Sequence, residues 1–231
     1  MTQDQVMAIL ESGKSVLLTG AAGTGKTYVL NSFIKRARAD GKSVAVTATT
    51  GLAATHLNGT TIHSWSGIGV YDELHSYFIE KLGKSRRDTI AKADILIIDE
   101  ISMLHDFRLD MVEEITRRVR EVDEPFGGLQ VVLSGDFYQL PPINRSESRS
   151  GSFVTTSESW NKGYFTVCYL TEQYRQADDE AYAAILNGIR AGFLSGRQLA
   201  ALQARTGSFV DPFDVKTKLL TTNADDDEIN L

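Results

Sequence analysis

The sequence holds one cysteine, no long apolar run and no excess of basic charge, and each shortage narrows the possible functions. With Cys168 alone, no disulfide can form within the chain. Its place in the apolar run "FTVCYL" makes it a small core residue, and such cysteine usage fits a cytosolic setting. No apolar run approaches the roughly eighteen residues that read as a membrane span, and the polar first residues do not read as a signal peptide. A net charge of −6 argues against wholesale coating of nucleic acid. A local basic groove stays open, because recognition depends on where charges lie. The basic stretches "IKRARADGK" and "TRRVRE" read as solvated helix faces, and the tail "TTNADDDEINL" supplies much of the negative total. Repeats and low-complexity tracts are missing too.

What is present is ordinary for a globular protein, with 42% hydrophobic and 23% charged residues, and 231 residues suffice for one core with appendages. Apolar runs bounded by turn signals recur at "SVLLTG", "SVAVTAT", "DILIIDE", "LQVVLSGD" and "FTVCYLT". Helical periodicity lies between them at Tyr28 to Ala39, Asp106 to Val122 and Asp178 to Ala191. Strands alternating with helices predict an α/β fold, a mainly parallel sheet with helices on both faces and its ligand beyond the carboxyl ends of the strands. The polar, helix-prone stretch from Tyr71 to Lys92 reads as an insertion on the sheet edge. A second irregular stretch, "PPINRSESRSGSF", precedes the fifth strand.

The first run leads into "GAAGTGKT", in which Gly20, Gly25, Lys26 and Thr27 satisfy the G-x-x-x-x-G-K-[ST] spacing in a strand–turn–helix context. Gly20, Ala21, Ala22, Gly23, Thr24 and Gly25 would turn successive N–H groups inward as a phosphate nest at a helix N-terminus. Lys26 would reach the β- and γ-phosphates of ATP, and Thr27 would offer its hydroxyl to Mg²⁺. The run "ILIIDE" supplies Asp99 as the second Mg²⁺ holder and Glu100 as the general base for an attacking water. That acid pair points to a hydrolase; in a small-molecule kinase the substrate is itself the nucleophile. In "LSGDFYQLPP", Gln139 is placed to sense the γ-phosphate, Asp136 to organise the turn, and Pro141 and Pro142 to stiffen its exit. Arg175, in "LTEQYRQ", either stabilises charge at the γ-phosphate or forms a surface salt bridge.

Taken together, "GAAGTGKT", "TATTGLAATHLNGTTIHSWSGIG", "LIIDEISML", "PFGGLQVVLSGDFYQLPP" and "LTEQYRQ" resemble superfamily 1B DNA helicases, above all the petite-integration-frequency (PIF) family and its RecD-like relatives. The resemblance implies a RecA-like P-loop NTPase domain with a small wedge-like insertion. It implies an enzyme that hydrolyses ATP to move 5′-to-3′ on single-stranded DNA and to unwind forked duplex in replication, repair, recombination and telomere maintenance. Gln5 matches the glutamine that reads the adenine edge, unless it is only an exposed residue of an N-terminal helix. Lys26, Thr27, Asp99, Glu100, Gln139 and Arg175 fall on the family's ATPase positions. Thr47, Thr49, Thr50, Gly51, Thr61 and His63 match segments that face single-stranded DNA, where small hydroxyls and backbone N–H groups hold phosphates without reading bases. His63 is alternatively a structural histidine, and Trp65 and Phe137 are either stacking surfaces for bases or core residues. The region from Asp110 through "PFGGLQVV" resembles the family's signature, linking the ATP site to the DNA path.

By the same resemblance, residues 1–222 are expected to form RecA-like domain 1A with a wedge at about 71–92, and 223–231 to begin a linker to a second such domain. None of the later motifs is present, so a truncated or naturally short form is expected that binds nucleotide and hydrolyses it weakly. The expected partners are single-stranded and forked DNA, with no membrane and a monomeric state. The expected location is cytoplasmic in a bacterial or phage-like source, nuclear or mitochondrial in a eukaryote. Two rival readings remain: a P-loop nucleotide switch or small-molecule kinase, which leaves "TIHSWSGIG" and "GDFYQLPP" unexplained, and a non-catalytic short form that only binds DNA or a partner.

Overall fold

A computed structural model describes residues 1–144, 149–175 and 179–206. Six strands, β1 Val16–Gly20, β2 Val44–Ala48, β3 Thr60–Thr61, β4 Ile95–Asp99, β5 Gln130–Gly135 and β6 Thr166–Leu170, form one all-parallel sheet in the order β3-β2-β4-β5-β1-β6. Both faces of such a sheet are covered, so its central strands must be apolar at every position and not at alternate ones. β4 meets this demand with Ile-Leu-Ile-Ile-Asp, buried throughout.

Strand alternation then divides the core in two. Val16 and Leu18 of β1, Ile97 of β4, Val132 of β5 and Cys168 of β6 face one way. They pack against Val6 and Leu10 of α1 (Gln3–Glu11) and Leu30 and Phe33 of α2 (Lys26–Ala39). Leu17, Leu96, Ile98, Val131 and Leu133 face the other way, against Leu109, Val112 and Ile115 of the long amphipathic helix Asp106–Arg120. The five apolar runs are therefore five strands, and Cys168 is a core residue. β3 was not anticipated, because two threonines carry no apolar signal. It pairs with β2 at the sheet edge and leads into a short helix, Ile62–Ser66.

Between β2 and β4 the chain forms α3 Gly51–His56, α4 Ile62–Ser66, α5 Phe78–Lys81 and α6 Lys84–Lys92. The stretch 71–92 is not all peripheral: Leu82 and Ile90 are buried in the second core half, so α6 belongs to the helical layer itself. The helix Asp106–Arg120 is α7. It ends two residues before the expected Val122, because Glu121 takes a left-handed conformation at φ 55°. The Arg120 side chain then donates to the carbonyls of Ala91 at 3.0 Å, Ala93 at 2.6 Å and Gly127 at 2.6 Å. It thus serves the C-terminal end of α6, and it ties that end to the left-handed run Phe126–Gly127–Gly128. Thus the signature-like "PFGG" is held at the end of the sheet remote from the phosphate loop. A five-residue helix, α8 (Glu158–Lys162), precedes β6.

The chain divides into two compact units, Met1–Asp178 and Asp179–Leu231, where the sequence suggested one domain to residue 222. The second unit contains α9 Glu180–Arg190, capped by Asp179, and α10 Gly196–Gln203, capped by Ser195 with Gln198. Gln198 also donates to Ala184 O and so joins the two helices. The expected helix start at Asp178, residues 145–148 of the irregular stretch, and the 222 boundary with its 223–231 linker lie outside the described residues. No helix among the described residues is long and apolar enough to cross a membrane.

Candidate nucleotide and nucleic-acid site

The loop between β1 and α2 is shaped by close approach. At Gly20 a Cβ would stand 2.7 Å from the backbone oxygen of Leu170, so the end of β1 can pass β6 only without a side chain. Gly25 caps α2 at φ 85°, a left-handed conformation that glycine adopts freely. The buried Thr24 closes the turn by donating to Ala21 O at 2.8 Å. Lys26 curls back across it, its Nζ donating to Gly20 O at 2.8 Å and Ala21 O at 3.2 Å. Thr27 stands exposed beside it, and the first turn of α2 carries no acid to neutralise the positive helix end.

Asp99 and Glu100 leave β4 next to this loop. Asp99 is only 8% exposed. Glu100 adopts φ 54°, uncommon for a residue with a side chain and typical of functional turns. The turn is held from β2: Thr49 donates its backbone N–H to Asp99 O at 3.1 Å and its hydroxyl to Glu100 O at 3.0 Å. Burial raises the Glu100 carboxyl above its ordinary value; the charges of Asp99 and Asp136 push the same way and Lys26 opposes them. Lys26, Asp99, Glu100 and Asp136 therefore share one local field. Thr27 and the nearly buried Asp99 are donors of the hard-oxygen type that magnesium takes, beside phosphate and water.

Gln139 folds back on Asp136, with its backbone N–H on Asp136 O at 2.9 Å and its Nε2 at 3.4 Å from Oδ2. It also lines, with Glu100, Ser102 and Thr50, a cavity of about 250 Å³. Beyond β6, Tyr174 donates its backbone N–H to Gly23 O at 2.9 Å, which brings Arg175 to the phosphate loop. Arg175 is exposed, and among the described residues no acid pairs with it. Gln5 is an exposed residue in the first turn of the N-terminal helix, one of the two alternatives its sequence position left open. Its side-chain oxygen accepts from Thr2 N at 3.0 Å in a reciprocal cap of α1, and Gln3 is the residue whose Nε2 lies against Gly25.

Four of the six residues expected to face DNA come together. Thr49, Thr50, Thr61 and His63 line one groove of about 630 Å³. Thr50 and Thr61 cap α3 and α4, and Gly51 is exposed at the start of α3. Thr47 is a correction: it is fully buried, its hydroxyl donating to Ile97 O at 2.6 Å, so it stabilises the sheet and presents nothing to a strand. Of the two alternatives for Trp65 and Phe137, the structure takes core over stacking surface. Trp65 is buried, and Phe137 packs on the core with its ring edge-on to Phe153 at 5.5 Å. The groove also contains His105, Phe107, Arg108 and Arg149, which no motif indicated.

His63 carries a falsifiable consequence. Burial, then the nearby charges of Arg108 and His105, lower its pKa to about 4. The unfolded chain then takes up the proton first as pH falls. This contribution is intact above about pH 6.5 and is lost towards pH 4, amounting at pH 5 to about 1–2 kcal/mol after allowance for partial exposure. His63→Gln should remove it, so its urea midpoint should fall less than the parent's between pH 7 and 5. An equal fall would show that other groups carry the dependence.

A profile of the PIF1-like helicase family matches residues 2–194. The chain belongs to that family. Among PIF1-like helicases it is 45% identical, over its whole length, to the ATP-dependent DNA helicase Pif1 of a Psychrobacter strain. Its structure matches the crystal structure of Pif1 helicase from Candida albicans with a TM-score of 0.89 and 35% identity, covering 99% of this chain and 52% of that one. The Bacteroides Pif1 helicase in complex with ADP-AlF3 and ssDNA gives 0.84 and 32%, covering 99% of this chain and 55% of that one. The match covers 36% of the Psychrobacter relative, so the chain spans about a third of that helicase's length. The RecA-like architecture read from the sequence is thus the one these PIF1-like structures share.

Proposed function

We propose that this chain is the ATP-hydrolysing motor domain of a DNA helicase. In the full-length protein, hydrolysis would drive 5′-to-3′ movement on single-stranded DNA and the opening of forked duplex. One observation carries the reading. Thr49, a wall of the hydroxyl-rich groove, bonds through both its backbone N–H and its side chain to the Asp99–Glu100 turn that faces Lys26. A nucleotide site and a strand-binding site that share one rigid turn can bias each other, as a motor requires.

The roles follow from the placement. Lys26 exchanges its two loop carbonyls for β- and γ-phosphate oxygens, and the loop N–H groups hold the remaining charge. Thr27 and Asp99 would hold Mg²⁺, which supplies charge neutralisation at the phosphates. Glu100, its proton affinity already raised, takes the proton of the attacking water. Gln139 lines a cavity with Glu100 and reports the γ-phosphate, and Arg175, next to the loop-bound Tyr174, offers a guanidinium for charge stabilisation. At α1, Gln3 borders the loop by contact, and Gln5 is the match to the family's adenine-reading glutamine. The insertion at about 71–92 takes the wedge role, its 71–81 part only partly buried against the core. The protein acts as a monomer on DNA in the compartment that holds it.

The test is ATP turnover by the full-length protein with and without single-stranded DNA, beside nucleotide affinity for this chain alone. Stimulation of turnover by DNA of at least tenfold is expected. Turnover indifferent to DNA would return the chain to the nucleotide-switch class.

A further inference from the structure

The second wall of the groove is built from residues unrelated to any motif. At the start of α7, Arg108 donates from Nη2 to Asp72 Oδ1 at 2.8 Å, and the other Asp72 oxygen accepts the backbone N–H of Arg149 at 3.1 Å. The pair is largely withdrawn from water, Arg108 being 16% and Asp72 23% exposed. The Arg149 guanidinium lies 4.7 Å from the centre of the Phe107 ring, and that of Arg108 lies 5.6 Å from it. Arg108 keeps one buried donor, Nε, without an acceptor. Facing them across the groove, Thr50 and Thr61 have their hydroxyls engaged in their own helix caps, and burial holds His63 neutral.

The Arg108 Nε is one of five buried polar side-chain atoms without a partner among the described residues, and it gives this guanidinium spare donor capacity. Here a single carboxylate bridges an arginine and a backbone N–H with its two oxygens. A phosphodiester presents the same pattern, and its two non-bridging oxygens can be reached by several donors at once. Two guanidinium groups stand at this wall, with Asp72 paired to Arg108 and Asp106 within electrostatic reach of Arg149.

We propose that Arg108 contacts a backbone phosphate of the bound single strand, and that Asp72 is a resident acid which occupies its guanidinium until that phosphate replaces it. The inference rests on the helicase reading above and adds to it a positioning pair from the insertion and from α7. Displacing Asp72 removes one tie between the insertion and α7, beside the bond from Arg118 to Ser76 O, so strand entry bears on how the insertion is held. The contact carries no base information, which suits a motor that accepts any sequence.

The experiment measures binding of fluorescein-labelled oligothymidylate to the full-length protein by anisotropy across a series of KCl concentrations. Arg108→Gln should weaken binding about tenfold at 0.1 M salt and reduce the slope of log affinity against log salt by about 0.7, the value for one phosphate on a single strand. Asp72→Asn should tighten binding about threefold or more with the slope kept. Arg108→Lys, which retains charge in a smaller change, should keep the slope and lose part of the affinity, and it serves if the glutamine variant does not fold. An unchanged slope in Arg108→Gln overturns the contact. Weaker binding in Asp72→Asn overturns the resident-acid role, since the acid would then be a support for Arg108. A parent protein that fails to bind the oligonucleotide at all would instead sink the helicase reading.

Discussion

Lys26→Ala should lower ATP turnover by the full-length protein about a thousandfold or more, and should leave affinity for single-stranded DNA within about threefold. The lysine has two tasks in one place. Its Nζ clasps the loop through Gly20 O and Ala21 O, and the same atom is within reach of the phosphates that this loop surrounds. Alanine removes both the clasp and the charge that the transition state needs. The groove is built from α3, α4 and the start of α7, none of which depends on the loop, so DNA binding should persist. Stability should change little, because the loop is also closed by Thr24 and anchored by Tyr174. Turnover measured by phosphate release, together with anisotropy on labelled oligothymidylate, gives both numbers. A variant that keeps more than a tenth of the parent rate would show that the phosphate grip lies elsewhere.

The phosphate loop and the acids after β4 were legible because each is local: a fixed spacing in one case, a run of four apolar residues ending in two acids in the other. The sheet was legible for a related reason, since strands covered on both faces must be continuously apolar. What sequence did not disclose was assembled from afar. Asp72, Arg108 and Arg149 meet across 36 and 77 positions, and nothing in their neighbours marks them. β3 was missed because two threonines make no pattern. Thr47 was misplaced for a subtler reason. A hydroxyl residue near a strand's end suggests a surface, yet Thr47 lies within β2 and donates its hydroxyl to Ile97 O. Gln5 offered a warning that could have been read: Thr2 and Gln5 have the spacing of a reciprocal helix cap, which engages the side chain locally.

Glu100→Gln should reduce turnover by about 10²–10⁴-fold, the range for loss of a general base, while nucleotide affinity stays equal or improves. The substitution is nearly isosteric, so the left-handed turn and the Thr49 bond to Glu100 O should survive. It should also stabilise the fold. Burial and the neighbouring Asp99 and Asp136 make an ionised carboxylate costly at this position, and a neutral amide escapes that cost. Glu100→Gly would add a second gain by relieving the φ of 54°. A residue whose removal raises the melting temperature and abolishes turnover is kept for chemistry, at the expense of the fold. Melting temperature, ATP turnover and nucleotide affinity measured on the same preparations separate the possibilities. If turnover survives within tenfold, the attacking water is activated by another group, and the buried Asp136 is the next acid to test.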